Sequence, residues 1–226
     1  MPRMSDARSV VLVHTVAGLA PVFNSLAREL LPSGTRAVHL VDENLLQDTI
    51  RDGAISDHTR QRLRDYVAFA GHSGAAAMLV TCSSVGPAVE TIASDASLPV
   101  LRVDTAMADQ AIQLGSRIGV LGTLSTTLQP TADLIRDRAD RAGKSVTVDA
   151  RLAEGAFQAL QAGQTEEHDA RVLDTLRQLQ HGVEVVVLAQ ASMARVTDQL
   201  SANERTVPIL TSPRLAIERL VSLLEA

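Results

Sequence analysis

Met78-Leu-Val-Thr-Cys-Ser-Ser-Val85 and Val187-Leu-Ala-Gln-Ala-Ser-Met-Ala194 share one plan, a short apolar run that ends in a small polar turn. With Leu79 set against Leu188, the two stretches stand about 110 residues apart, a repeat long enough to hold several secondary elements. Other pairs keep nearly the same distance. Asp52-Gly-Ala-Ile-Ser-Asp-His58 matches Ala162-Gly-Gln-Thr-Glu-Glu-His168, and Leu98-Pro-Val-Leu101 matches Val207-Pro-Ile-Leu210. The spacing from Thr15 to Asp42 also equals that from Thr123 to Ala150. A chain that repeats itself in this order is expected to fold as two similar halves.

The stretches between these anchors set the fold class. Short apolar runs occur at 9–13, 37–41, 77–81, 100–103, 117–121, 145–148, 185–189 and 209–211. Several are nearly continuous in Val, Ile and Leu, as parallel strands covered on both faces should be. Helical patterns fall between them at 22–31, 57–70, 87–94, 105–114, 130–142, 166–180 and 213–224. This alternation predicts βαβ units. The expected fold is α/β, with two pseudo-symmetric lobes, each a parallel sheet flanked by helices, and an active-site cleft between them. The expected division is 1–105 plus 213–226 for the first lobe and 106–212 for the second. Ligands of open α/β sheets bind at the carboxyl ends of the strands, so the chemistry is sought there.

Composition narrows the function. Aromatic residues make up 2% of the 226, with one Tyr, three Phe and no Trp, which leaves little to stack nucleic-acid bases. The net charge of -5 comes without a long basic run, so no nucleic-acid partner is expected. No apolar stretch is long enough to span a bilayer, and residues 1–8 lack an apolar signal core. A cytoplasmic protein without a membrane partner is the expectation. The single cysteine allows no internal disulfide, and the six His lack metal-ligand spacing, so no metal is expected.

That cysteine, Cys82, closes an apolar run and opens a turn rich in hydroxyls, Ser83 and Ser84, with Pro87 placed for a first helical turn. A thiol near a helix start meets backbone N–H groups that favour thiolate. In Gly119-Val-Leu-Gly-Thr-Leu-Ser-Thr-Thr127, the hydroxyls of Thr123, Ser125 and Thr126 precede Pro130 and a helix. One of these hydroxyls is expected to cap that helix, and the group suits a carboxylate. Gln190-Ala191-Ser192-Met193 occupies in the second half the place of Thr81-Cys-Ser-Ser84, and Gln190 and Ser192 are candidate hydrogen-bond partners of a substrate. His14, Thr15 and Asp42 end the first two strands and are candidate substrate contacts, with structural roles for His14 and Asp42 as the competing reading. His58 and His168, at matching repeat positions, are expected to share a structural task.

Leu79-Val-Thr-Cys-Ser-Ser84, Val120-Leu-Gly-Thr-Leu-Ser-Thr-Thr127 and Val187-Leu-Ala-Gln-Ala-Ser-Met193, in this order, resemble the aspartate/glutamate/hydantoin racemase superfamily. The resemblance covers nearly the whole chain. It implies an enzyme without metal or pyridoxal cofactor, in which one cysteine from each lobe moves a proton at the carbon beside a carboxyl or carbonyl group. Cys82 matches the first-lobe cysteine. Thr123, Ser125 and Thr126 match the carboxylate-binding loop. Gln190-Ala191-Ser192 stands where the second cysteine is expected, leaving Ser192 as the candidate second catalytic group and a poor acid. The resemblance implies an isomerase of small carboxylic or amino acids that forms a homodimer or higher homo-oligomer. A one-cysteine decarboxylase, a cis-trans isomerase and a non-catalytic small-acid-binding protein are the alternatives. Hydrolysis through a Cys82 thiolate with His14 as base is a further one.

Overall fold

A computed structural model describes residues 8–226. Strand β1 (Ser9–His14) is buried along its whole length, and helix α1 (Leu19–Leu30) returns the chain to the parallel strand β2 (Arg36–Val41). Helices α2 (Asn44–Asp52) and α3 (Asp57–His72) lead to the fully buried strand β3 (Ala77–Val80). A three-residue 3-10 turn and α4 (Gly86–Ala93) then precede β4 (Val100–Arg102). The sheet order is β2-β1-β3-β4, all parallel. Val11, Val13, Met78 and Val80 pack on one face against Leu45, Leu63, Val67 and Val89 of α2, α3 and α4.

The second half repeats the plan. After α5 (Thr105–Leu114) come β5 (Arg117–Gly122), α6 (Ser125–Arg141), β6 (Thr147–Leu152), α7 (Ala156–Gln161) and α8 (Thr165–Gln180). Strand β7 (Val185–Leu188), two 3-10 segments, β8 (Ile209–Thr211) and α9 (Ser212–Glu225) complete the chain. The order β6-β5-β7-β8 is again parallel throughout. Leu121, Val186 and Leu188 pack against Val172, Leu176 and Leu179 of α8. The chain groups into two compact units, one ending at Val103 and resuming over Pro213–Ala226, the other covering Asp104–Ser212. Thus α5 follows the first sheet in sequence but belongs to the second unit, and α9 does the reverse.

The two-lobed parallel α/β architecture is as the sequence predicts, but several elements differ. The sixth strand runs over Thr147–Leu152 rather than 145–148. Asp149 and Arg151 lie inside it, with Arg151 Nη2 donating to Asp149 Oδ2 at 2.8 Å, so this edge strand has no continuous apolar run. Helix α6 opens at Ser125, not Pro130, and Pro130 lies inside it, where it lacks the N–H that would reach the Thr126 carbonyl. Helices α2 and α7 go unmarked in the apolar pattern. Gly53 and Gly163, matched in the repeat, both have positive φ, +65° and +75°, a conformation that glycine adopts without penalty.

Strand register corrects the alignment of the halves. Val80 pairs with Val13, the fifth residue of β1, and Leu188 pairs with Leu121, the fifth of β5. Val80 therefore corresponds to Leu188, one residue away from the match of Leu79 with Leu188. Similarly, Asp42 N–H donates to His14 O and Ala153 N–H donates to Gly122 O, both at 2.8 Å, so Asp42 corresponds to Ala153 and not Ala150.

Candidate active site

Cys82 stands two residues beyond the end of β3 and is the N-cap of the 3-10 turn Ser83–Val85, with Pro87 in the first turn of α4 as expected. Its side chain joins the core face of the first sheet and is 8% exposed. Burial pushes the thiol up from its ordinary value. The Thr15 hydroxyl, the Val85 N–H, and the Ser84 N–H and hydroxyl oppose this by hydrogen bonding to the sulfur. The direction reverses the expectation of a thiolate-favouring turn, because desolvation outweighs the donors. At neutral pH Cys82 is a protonated acid surrounded by groups ready to receive its conjugate base. Beside it, Ser83 Oγ is buried without a hydrogen-bond partner among the described residues.

His14 and Asp42 are already engaged. His14 Nδ1 lies 2.9 Å from Thr81 Oγ1 and its Nε2 lies 2.9 Å from His39 Nδ1. The His14 ring stacks on His39 with centroids 5.1 Å apart and tilts against Phe23 of α1. Because Thr81 donates its one proton to Val13 O, its oxygen accepts from His14 Nδ1–H. His14 Nε2 then accepts from His39 Nδ1–H. Burial first, and His39 second, lower the His14 pKa to about 4. With both nitrogens taken and the ring neutral, His14 is no base for a Cys82 hydrolase. Asp42 Oδ2 accepts from Tyr66 Oη at 2.7 Å and Arg62 Nη2 at 2.6 Å, and Oδ1 accepts from Asn44 N–H at 3.1 Å. It forms a buried corner at the end of β2.

In the second unit, the corrected register places Gln190 at the position of Cys82, Ala191 at that of Ser83 and Ser192 at that of Ser84. Gln190 is the N-cap of the 3-10 segment Ala191–Gln199, with backbone angles of -120° and 131° against -129° and 117° at Cys82. The correspondence extends to hydrogen bonding. Thr15 bonds the Cys82 sulfur, and Thr123, its counterpart, donates its N–H (2.6 Å) and hydroxyl (3.0 Å) to Gln190 Oε1. Ser192 is half-buried and is the counterpart of a hydroxyl, not of the thiol. Helix α6 has Leu124 as its N-cap and no side-chain cap, contrary to the expected hydroxyl cap. Thr126 Oγ1 is buried without a partner among the described residues, while Ser125 is exposed.

His58 and His168 do not share a task. His58 is exposed, whereas His168 is buried with Nδ1 2.7 Å from Asp169 Oδ1. Asp169 also accepts from Arg195 (2.5 Å) and Gln199 (2.6 Å), tying α8 to the segment after β7. Burial pushes the Asp169 carboxyl up, but these donors and the Arg195 charge together hold it below the usual range. The partners Thr81, His39, Tyr66 and Arg62 escaped sequence reasoning, since none carries a local motif. Among the described residues, no group of three or more His, Cys, Asp or Glu is placed to hold a metal ion, and no helix is long and apolar enough to cross a membrane. A groove of about 1190 Å³ in the second unit is lined by Gln158, Gly163, Glu166 and Arg171 among others, and holds none of the candidate residues.

Comparison with known proteins settles the family. The family model for Asp/Glu/hydantoin racemases matches residues 11–220. The chain belongs to this family. A glutamate racemase of Bacillus anthracis superposes with a TM-score of 0.75 at 18% identity, over 96% of this chain and 82% of that one. A glutamate racemase of Francisella tularensis, solved with D-glutamate, gives 0.73 at 16% identity over 97% and 82%. An allantoin racemase of Klebsiella pneumoniae gives 0.66 at 16% identity over 96% and 88%. At such identities the likeness speaks for the racemase fold alone. An uncharacterised protein of Schizosaccharomyces pombe is 28% identical over 155 residues, 66% of this chain and 64% of that protein, so the match leaves more than a third of the yeast protein uncovered.

Proposed function

We propose that the protein is a cofactor-independent enzyme that transfers a proton at the carbon beside a carboxyl or carbonyl group of a small carboxylic or amino acid, with Cys82 as the acid/base. The observation that carries this reading is the setting of Cys82, the N-cap of the turn Ser83–Val85, with the buried Ser83 hydroxyl beside it lacking a partner among the described residues. Hydrogen bonding from Thr15, Ser84 and Val85 opposes the effect of burial on the thiol, and the same groups would stabilise the thiolate formed when the proton leaves. On this reading the buried Ser83 hydroxyl, beside Cys82 and without a partner among the described residues, is open to the substrate's carboxylate. The family supports an isomerase, while a thiol protonated at rest suits a group that donates its proton to an enediolate, such as decarboxylation leaves.

Gln190 favours a one-sided form of this chemistry. A carboxamide has no proton to give near neutral pH, and its oxygen is held by Thr123. The second unit therefore brings no thiol, and Ser192 lies at the wrong register to replace one. Decarboxylation, with Cys82 protonating an enediolate, and isomerisation of an unsaturated acid both fit a single thiol, while two-base racemisation requires another acid. The test is a panel of small carboxylic and amino acids incubated in heavy water. Deuterium at the α-carbon of a panel member, with a new isomer or released carbon dioxide, supports the proposal. Reversible binding with no exchange and no product contradicts it and favours a passive small-acid-binding protein.

A further inference from the structure

We propose that Arg102 is a positioning residue for Cys82, its guanidinium bracing Gly86 so that the Ser84 and Val85 N–H groups stay aimed at the thiol sulfur. Arg102 is the last residue of β4 and pairs in register with Val80, two residues before Cys82. Its side chain is 3% exposed, and Nη1 lies 3.0 Å from Glu90 Oε2 of α4. A Cβ placed on Gly86 would stand 2.5 Å from Cζ, 2.5 Å from Nη2 and 2.6 Å from Nε. Near-equal distances to three atoms of the plane mean that the guanidinium presents its face to the space a Gly86 side chain would fill. Gly86 N–H in turn donates to Ser83 O, closing the turn that carries Ser84 and Val85. The guanidinium thus sits on the residue that closes the turn of which Cys82 is the N-cap.

The duplication supplies an internal control. By the register that equates Val80 with Leu188, Arg102 corresponds to Thr211 and Gly86 to Ala194. The half that bears the thiol has a flat cation resting on a glycine, followed by the α-helix α4. The half that bears Gln190 has neither, and its turn runs on as the 3-10 segment Ala191–Gln199. The brace accompanies the thiol and not the fold. Lysine does not replace it, because a point charge on a flexible stem presents no plane.

This inference deepens the reading of Cys82 as acid/base and rests on it for its functional meaning, but its test needs no substrate. Cys82 is the only cysteine, and one Tyr and no Trp leave a low ultraviolet background. Thiolate absorbance is titrated against pH in the full chain, with Cys82→Ala subtracted. Arg102→Lys and Gly86→Ala are expected to raise the apparent thiol pKa by about one pH unit, and to slow alkylation at fixed pH about tenfold. Glu90→Gln, at a half-exposed position, keeps the chain folded and is expected to shift the titration the same way by less. If Arg102→Lys folds and titrates as wild type, or if all three variants lower Tm without moving the thiol, Arg102 is only structural and the proposal is wrong. Should Arg102→Lys and Gly86→Ala fail to fold, an unchanged titration in Glu90→Gln overturns it.

Discussion

Acidification should release a defined part of the stability, because His14 is held neutral where it stands. Its Nδ1–H faces Thr81 Oγ1 and its Nε2 faces His39 Nδ1 at 2.9 Å, so a proton on Nε2 would force His39 to carry its own proton on Nε2, which is buried without a partner among the described residues. The folded pKa is about 4 against an ordinary 6.5, through burial first and His39 second. Between those values the unfolded chain binds a proton that the native protein refuses, so stability rises with pH across the window. It is fully present above pH 6.5 and lost as pH falls to about 4. At 1.36 kcal/mol per pH unit, this gap is worth about 3 kcal/mol. His39, also lowered by burial, adds with the same sign. Carboxylates held below their ordinary values, such as Asp169 and the exposed Glu204, titrate beneath the window. The assay is urea unfolding from pH 7 to pH 4 for wild type and His14→Asn. Wild type should lose about 3 kcal/mol over the range, and the variant should start lower but show a flatter profile. A flat wild-type profile, or an unchanged slope in the variant, would refute the pairing.

Gly119 of β5 faces α8, where a Cβ would stand 2.8 Å from Leu179 Cγ and 3.0 and 3.1 Å from its two Cδ atoms, so Gly119→Ala should destabilise by about 1–3 kcal/mol in urea titration. Adding Leu179→Ala should cost less than the sum of the single changes, and strict additivity would show that the two do not meet. Gln190→Cys places a thiol where Thr123 now donates to Oε1, so a one-sided enzyme should gain exchange on both enantiomers by chiral chromatography. Stereochemistry unchanged in that variant would contradict the equivalence of Gln190 with Cys82.

The strands buried on both faces were legible because nothing polar interrupts them, as in Val185–Leu188. Thr147–Leu152 was not, because an edge strand tolerates the Asp149–Arg151 pair. Pro130 read as a helix start because proline suits the first turn, yet α6 carries it inside. Cys82 was legible from its place after an apolar run, but the direction of its pKa depends on how deeply the turn is buried, which spacing does not report. The one-residue misalignment of the halves had a similar origin. Leu79 and Leu188 match as letters, while the duplication preserves strand ends, and only pairing register shows that Gln190 stands for Cys82. His39 reaches His14, and Arg102 reaches Gly86, from neighbouring strands and turns far away in sequence.

The central claim is that Cys82 carries the proton. On a substrate found in the heavy-water panel, deuterium incorporation at the α-carbon should be followed by NMR for wild type and Cys82→Ala side by side. The account predicts that Cys82→Ala folds with wild-type circular dichroism and loses incorporation by at least about a hundredfold, the scale of general acid/base catalysis. Incorporation at the wild-type rate in a folded Cys82→Ala would contradict it and place the proton transfer on another group.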